Sequence, residues 1–248
     1  MRIKQQDLIK AFLDEEFGSD RGSALFGRQE KILDALIQNT TGKSENQMKT
    51  LVQTILPRIA LYKALWQEGL PEEEVYGRMR KYMMEKIAEP KHASTARMEL
   101  VPGFYGIYSR IFLKIMRTTD LQQSTQECGR DYYNVTITKC LWQTACAENG
   151  CAELCRLFCD VDDVTYGGLK KIGFTRTKTL GYGGDCCDFH FFRKNAERIR
   201  RKSDVQTDPK EEKRDRCRRR WRLSSGWRTR RSPLPAGPCR CMRSPLSI

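Results

Sequence analysis

The chain has 248 residues, 39% hydrophobic and 31% charged, with a formal net charge of +14 and a mean hydropathy of -0.64. That length means one large domain or a domain with an appendage, and the composition excludes a chain too polar to bury a core. Arg193 to Ile248 holds 19 Lys+Arg against 6 Asp+Glu, a net of +13, and the 192 residues before it hold 26 and 25; nucleic acid is therefore expected as a partner only through this C-terminal segment.

In chain order, the first 90 residues read as helices. Met1 to Phe17 and Gly22 to Ile37 carry loosely spaced apolar positions. The charged opening residues lack the apolar region of a secretion signal, so the cytoplasm is the expected location. Ser44-Glu45-Asn46-Gln47 is a capping-box pattern opening a helix with Met48, Leu51, Val52, Ile55, Ile59, Tyr62, Leu65 and Trp66 on one stripe. Pro57 is expected to kink it and Gly69 to end it. Pro71 starts the next helix, with Glu72, Glu73 and Glu74 at its dipole-favoured first turn and Val75, Met79, Tyr82, Met83 and Ile87 on its apolar face. Pro90 is expected to stop it, and Lys91 to Leu100 reads as a connector.

Val101 to Met116 places Phe104, Tyr105, Tyr108, Ile111, Phe112 and Ile115 at helical spacing. Arg110 and Lys114 interrupt it, and it is too short to span a bilayer. These two cations form no broad basic face, so a buried helix over a pocket or sheet is expected rather than one lying on a membrane, and no membrane partner is expected. Beyond Asp120 the period changes. Asp131 to Thr138 alternates as a strand, Leu141 to Leu169 reads as helix broken near Asn149-Gly150, and Ile172 to Leu180 alternates again. A Gly-rich turn, Gly181 to Asp185, leads into a last strand, Cys186 to Phe192. The expected fold class is α+β: a helical N-terminal region (1–100), then a β-α-β-β module (101–193) with helices packed on a small antiparallel or mixed sheet, its last two strands an antiparallel hairpin. The basic tail (194–248) has no apolar period and is expected to be disordered; its patternless Arg, Pro, Ser, Cys and Trp resemble out-of-frame translation of GC-rich DNA more than a selected nucleic-acid-binding arm.

No GxGxxG after a strand, GxxxxGK[ST], HExxH or GxSxG is present, and His92 and His190 are too few for a multi-histidine metal site. Eight of the 11 cysteines lie in the body, at 128, 140, 146, 151, 155, 159, 186 and 187. In a reducing compartment they point to buried packing residues, a metal site or reactive thiols rather than disulfides. Cys151, Cys155, Cys159 and Asp162 share one helical stripe beside an apolar stripe of Leu154, Phe158 and Val161. Packing alone would explain each cysteine, but Asp162 on the same stripe calls for a partner. In the last strand Cys187, Phe189 and Phe191 face one way, Asp188 and His190 the other. If the phenylalanines cover the core, Cys155, Cys159 and Cys187 converge, a donor set suited to Zn²⁺ or another soft divalent cation, although no CxxC pair supports it.

Three segments together resemble the L-2-amino-thiazoline-4-carboxylic acid hydrolase family of bacterial cytosolic proteins: Leu56 to Leu65 (LPRIALYKAL), the cysteine-spaced run from Cys140 to Asp162, and Thr175 to Phe191 (TRTKTLGYGGDCCDFHF). The family pattern matches at Glu153, Cys155, Cys159, Asp160 and Asp162, and at Thr179, Gly183, Cys187, Asp188 and Phe189. It departs at His190, where relatives carry Arg, and in the tail. The resemblance implies a hydrolase acting on a C–N bond of a cyclic amidine-like thiazoline ring, opening it towards a carbamoyl cysteine. Such chemistry needs a base, an acid for the leaving atom and a cation for the substrate carboxylate. Asp162 and Asp188 are the expected acid/base residues, Cys159 or Cys187 a nucleophile. Arg176 and Lys178, with Glu153 and Thr179, are expected to bind a small-molecule carboxylate substrate. The alternative is a non-catalytic sensor module binding a small ligand or metal in the same Cys/Asp pocket.

Overall fold

The computed structural model describes residues 3–194, and the predicted tail beyond Lys194 lies outside them. The fold is α+β. Helices α1 (Gln5–Phe17) and α2 (Ser19–Asn39) form a hairpin turned at Gly18, whose φ of +78° favours glycine. The capping box forms: the Gln47 amide donates to Ser44 Oγ at 3.1 Å and the Ser44 amide to Gln47 Oε1 at 3.3 Å, opening α3 (Glu45–Thr50). A π segment, Leu51–Ile55, joins α3 to α4 (Leu56–Trp66), which is buried nearly all round. Helix α5 (Glu72–Lys81) continues through a second π segment, Tyr82–Ala88, into α6 (Glu89–Met98).

Pro90 therefore does not stop the helix, and Lys91 to Leu100 is mostly helical rather than a connector. Pro57 and Pro90 each follow a π segment by two residues. A proline ring crowds the carbonyl four residues back and supplies no N–H; a locally widened turn relieves that clash, so the helix passes through.

Helix α7 (Phe104–Thr118) begins after Gly103 at φ +72°. It covers the sheet with one face only: Phe104 is buried, and Phe112 packs on Tyr133 and Phe191 with ring centres 5.8 and 5.0 Å apart. Ile107 and Ile111 on its other face are exposed, and so is Ile115 at the cavity edge, which the expectation of a buried helix missed. No described helix is long and apolar enough to cross a membrane.

Strands β1 (Gln122–Cys128), β2 (Tyr132–Cys140), β3 (Ile172–Thr175) and β4 (Cys187–Arg193) form one antiparallel sheet in the order β1-β2-β4-β3. The β3–β4 hairpin was legible in sequence; β1 was not, because QQSTQEC is polar on both faces and lies at an edge. Strand β3 is shorter than the predicted Ile172 to Leu180, so Arg176 and Lys178 sit in an irregular segment. The reason is local: Asp188 takes the amides of Thr177 and Lys178, which a longer strand would have spent on its neighbour. Helices α8 (Leu141–Glu148) and α9 (Cys155–Tyr166) are separated by a break after Asn149 and a 3₁₀ turn at Ala152–Leu154, leaving Cys151 off the α9 stripe.

Two apolar cores result. One unites α1, α2, α4 and α5 with Leu157, Phe158 and Val161 of α9. The other lies between α7 and the inner sheet face, centred on Phe191, which stacks on Tyr133 at 4.8 Å and meets Tyr166 of α9 edge-on at 5.0 Å. Buried Glu99 after α6 fastens the start of β3 by accepting the amides of Lys170, Lys171 and Ile172 at 2.7, 2.6 and 3.2 Å.

Candidate functional site

Between α4, α7, α9 and the inner sheet face is a cavity of about 460 Å³. Its apolar walls include Phe112 and Met116 of α7, Trp142 of α8, and Ile137 and Phe189 of the sheet. Its chemistry comes from Asp162, Arg58, Lys91 and four thiols: Cys140, Cys155, Cys159 and Cys187.

Asp162 follows Cys155 and Cys159 along α9, at helical spacing that turns all three to the cavity. It is half-buried, and its carboxylate has no hydrogen-bond or ion-pair partner among the described residues. Burial raises its pKa to about 7, against the opposing pull of Lys91 and Arg176. A carboxyl group near neutrality can both take and return a proton at ordinary pH.

Arg58 reaches the opposite wall from α4. It is 7% exposed, and burial lowers its pKa to about 10. Its position follows from the proline beside it. Pro57 cannot donate to the carbonyl of Gln53, and the Gln5 side chain from α1 supplies that bond instead, at 2.8 Å. The other end of the same amide, Gln5 Oε1, accepts from Arg58 Nε at 2.9 Å. Phe158 lies under the guanidinium, 5.4 Å away. Lys91, exposed on α6, adds a second cation. Arg58 stands in a mostly apolar segment, LPRIALYKAL, that holds one other cation, Lys63; an arginine inside an all-round buried helix was the signal that could have revealed it. Lys91 had no such signal.

The structure brings Cys155, Cys159 and Cys187 together, but not as metal ligands: no group of three or more His, Cys, Asp or Glu among the described residues could hold a metal ion. Zn²⁺ or another soft cation therefore does not fit. The sulfurs of Cys155, Cys159 and Cys187 neighbour one another on the cavity wall, and Cys187 Sγ accepts from the Leu180 amide at 3.3 Å. The neighbouring thiols of Cys155, then Cys187, with the Thr179 hydroxyl and the Arg176 charge, hold the Cys159 thiol below its ordinary pKa; the closeness of Cys159, and burial, push Cys187 up. Gly181 permits this closeness, since a Cβ there would lie 2.8 Å from Cys159 Sγ.

The other predicted residues stand away from the cavity wall. Asp188 lies on the outer sheet face with His190. It accepts from the amides of Thr177 and Lys178 at 2.9 and 2.8 Å and from the Thr177 hydroxyl. Burial pulls its pKa up, but those hydrogen bonds outweigh it and leave the carboxyl below its ordinary value. His190 pairs with Asn134 Oδ1 at 2.6 Å and does not line the cavity. Lys178 is paired with Asp185 at 2.6 Å. Arg176 donates to the Cys159 carbonyl at 3.0 Å and to Asp163, bracing α9 from behind. Glu153 accepts from the Tyr62 hydroxyl at 2.8 Å, Asp160 from that of Tyr182 at 2.8 Å, and buried Thr179 caps the turn at Tyr182.

The sequence model of a family described as L-2-amino-thiazoline-4-carboxylic acid hydrolase matches residues 46–191. No curated protein matches the chain. Among solved structures, an H-NOX protein from S. oneidensis in the Fe(II) ligation state is similar at 12% identity and a TM-score of 0.29, covering 79% of this chain and 97% of that one. An H-NOX protein from the same organism in the Fe(II)NO state aligns at 13% identity and 0.29, covering 76% and 98%. Similarity at that score carries neither fold nor function to this chain.

Proposed function

The chain belongs to the L-2-amino-thiazoline-4-carboxylic acid hydrolase family, and from that premise we propose that the cavity beneath α7 hydrolyses a small cyclic amidine bearing a carboxylate, of the 2-amino-thiazoline-4-carboxylate type. The observation that carries this reading is Asp162: a carboxyl without a hydrogen-bond partner among the described residues, its pKa at about 7, facing a cavity with two cations. Arg58 and Lys91 receive the substrate carboxylate, and the aromatic walls hold the ring. Asp162 as carboxylate takes a proton from water while the water oxygen bonds to ring C2, and passes that proton to the ring nitrogen. The tetrahedral carbon then collapses. Its C2–S bond breaks, the hydroxyl proton travels by Asp162 to the departing sulfur, and C2 keeps the oxygen as a carbamoyl carbonyl on the cysteine nitrogen. The bond broken is thus C–S, not the ring C–N bond that the family resemblance first suggests. No residue of the outer sheet face takes part, so Asp188 is a structural acceptor in this proposal.

The test is incubation of the full chain with the thiazoline acid, following product by mass. Wild-type protein should open the ring, and Asp162→Asn should lower turnover by roughly 10²–10⁴-fold with folding retained. Binding of the acid without turnover by wild type would refute hydrolysis and leave the cavity as a ligand-binding module. A covalent substrate adduct on Cys159 would replace direct attack by water with nucleophilic catalysis.

A further inference from the structure

Five thiols, Cys151, Cys146, Cys155, Cys159 and Cys187, neighbour one another in series, and three of them, Cys155, Cys159 and Cys187, line the cavity. The hydrolysis proposed above uses none of them. Within the series Cys159 is distinct. Like Cys155 and Cys187 it lines the cavity, but it alone is half-buried while the other four are buried, so a small solute that enters the cavity meets its sulfur most readily. Neighbours on several sides favour its thiolate: the thiols of Cys155 and Cys187, the Thr179 hydroxyl, and the Arg176 guanidinium, which is anchored on the Cys159 carbonyl. The close seat provided by Gly181 presses the turn at Leu180–Tyr182 against this sulfur. Through the Leu180 amide, that turn also fixes Cys187 Sγ beside it.

We propose that Cys159 and Cys187 form a peroxide-reactive dithiol, in which Cys159 is the sulfur oxidised by a small hydroperoxide and Cys187 the sulfur that resolves it to a disulfide. The Cys159 thiolate attacks the hydroperoxide oxygen; an S–O bond forms, the O–O bond breaks, and the leaving oxygen takes a proton and departs as water or an alcohol. Cys187 sulfur then displaces the hydroxyl from Cys159 Sγ, which leaves with the Cys187 proton as water. Two thiols lose two electrons and the peroxide gains them. Cys187 resolves better than Cys155 because it approaches from the facing strand. Cys155 stands one turn away on the same helix, where the Cα–Cβ bonds run parallel and suit a disulfide poorly.

The experiment reads thiol state, so it is independent of whether the protein turns over a thiazoline. The reduced full chain is treated with hydrogen peroxide near stoichiometry, remaining thiols are alkylated, and peptides are mapped by mass. The expected first product is a Cys159–Cys187 link, with Cys159 reacting roughly tenfold or more faster than exposed Cys128. Cys187→Ser should trap Cys159 as a sulfenic acid captured by a cyclic 1,3-diketone, and Cys159→Ser should abolish both products. A Cys155–Cys159 link, oxidation of Cys128 ahead of Cys159, or diketone labelling unchanged by Cys159→Ser would overturn the proposal. The wild-type map alone decides the matter should a variant fail to fold.

Discussion

On the inner side of the sheet Asp162 enters an apolar cavity with no hydrogen-bond partner among the described residues, whereas on the outer side Asp188 accepts three hydrogen bonds from Thr177 and Lys178. The two residues are similar in sequence: each follows a cysteine closely, in CDVD and CCDF, and each lies within the stretch that the family model matches. Their environments drive them apart. Desolvation without compensation raises Asp162 to about 7, while hydrogen bonding to the charged form lowers Asp188. A carboxylate near a cysteine motif is thus reactive or structural according to what surrounds it, and each variant below breaks or sharpens that contrast.

The largest effect is expected in activity. Beyond the loss of turnover in Asp162→Asn, kcat/KM of the parent should rise with pH through an apparent pKa near 7, because the base must be ionised. A flat profile across that range would separate Asp162 from the proton transfer. Next is Arg58→Met, which keeps the bulk but removes the charge. KM for the thiazoline acid should rise roughly 10–100-fold, the worth of a charge-assisted hydrogen bond, and an unchanged KM would move the carboxylate site elsewhere.

Stability should show the reverse contrast. Replacing Asp188 by Asn should cost about 1–2 kcal/mol in denaturant unfolding, with kcat/KM within about twofold of the parent. Asp188 is depressed in the fold, so its contribution is present above the ordinary carboxylate pKa and is lost as pH falls through the folded value. The parent and Asp188→Asn should therefore converge in acid. Asp162 has the opposite sign. Its folded pKa lies above the unfolded value, so the folded chain holds a proton that the unfolded chain releases, and stability falls as pH rises from 3.8 to about 7. Asp162→Asn should gain on the parent by about 2 kcal/mol between pH 4 and pH 8, discounted for the openness of the cavity; a constant difference would mean that Asp162 titrates normally.

The smallest effect tests the far end of the arrangement. Gln5→Ala should loosen Arg58 and raise KM roughly 3–10-fold at unchanged kcat, the loss of one positioning hydrogen bond. Gln5→Glu, which can still accept from Arg58 Nε, should recover most of it. Equal losses in kcat and KM, with no recovery in the Glu variant, would make Gln5 only a packing residue.

Much of this was legible from neighbouring residues. The capping box at Ser44, the α9 stripe of Cys155, Cys159 and Asp162, and the inward set Cys187, Phe189 and Phe191 all follow from helical or strand periodicity over a few residues. Strand β1 escaped because an edge strand of polar residues has no period to read, and Pro90 misled because a π turn absorbs the clash that normally ends a helix.

The sequence by itself determined which faces of α9 and β4 turn inward, and hence that thiols and a carboxylate would meet, because side-chain direction is set by local backbone geometry. Only the tertiary structure decided which of those groups has a partner. Arg58 is held by Gln5, 53 residues away, and Asp162 is drawn down by Lys91 from another helix, while Asp188 is satisfied across a hairpin. Desolvation and hydrogen bonding depend on everything that packs around an atom, and for these residues the decisive neighbours lie far off along the chain.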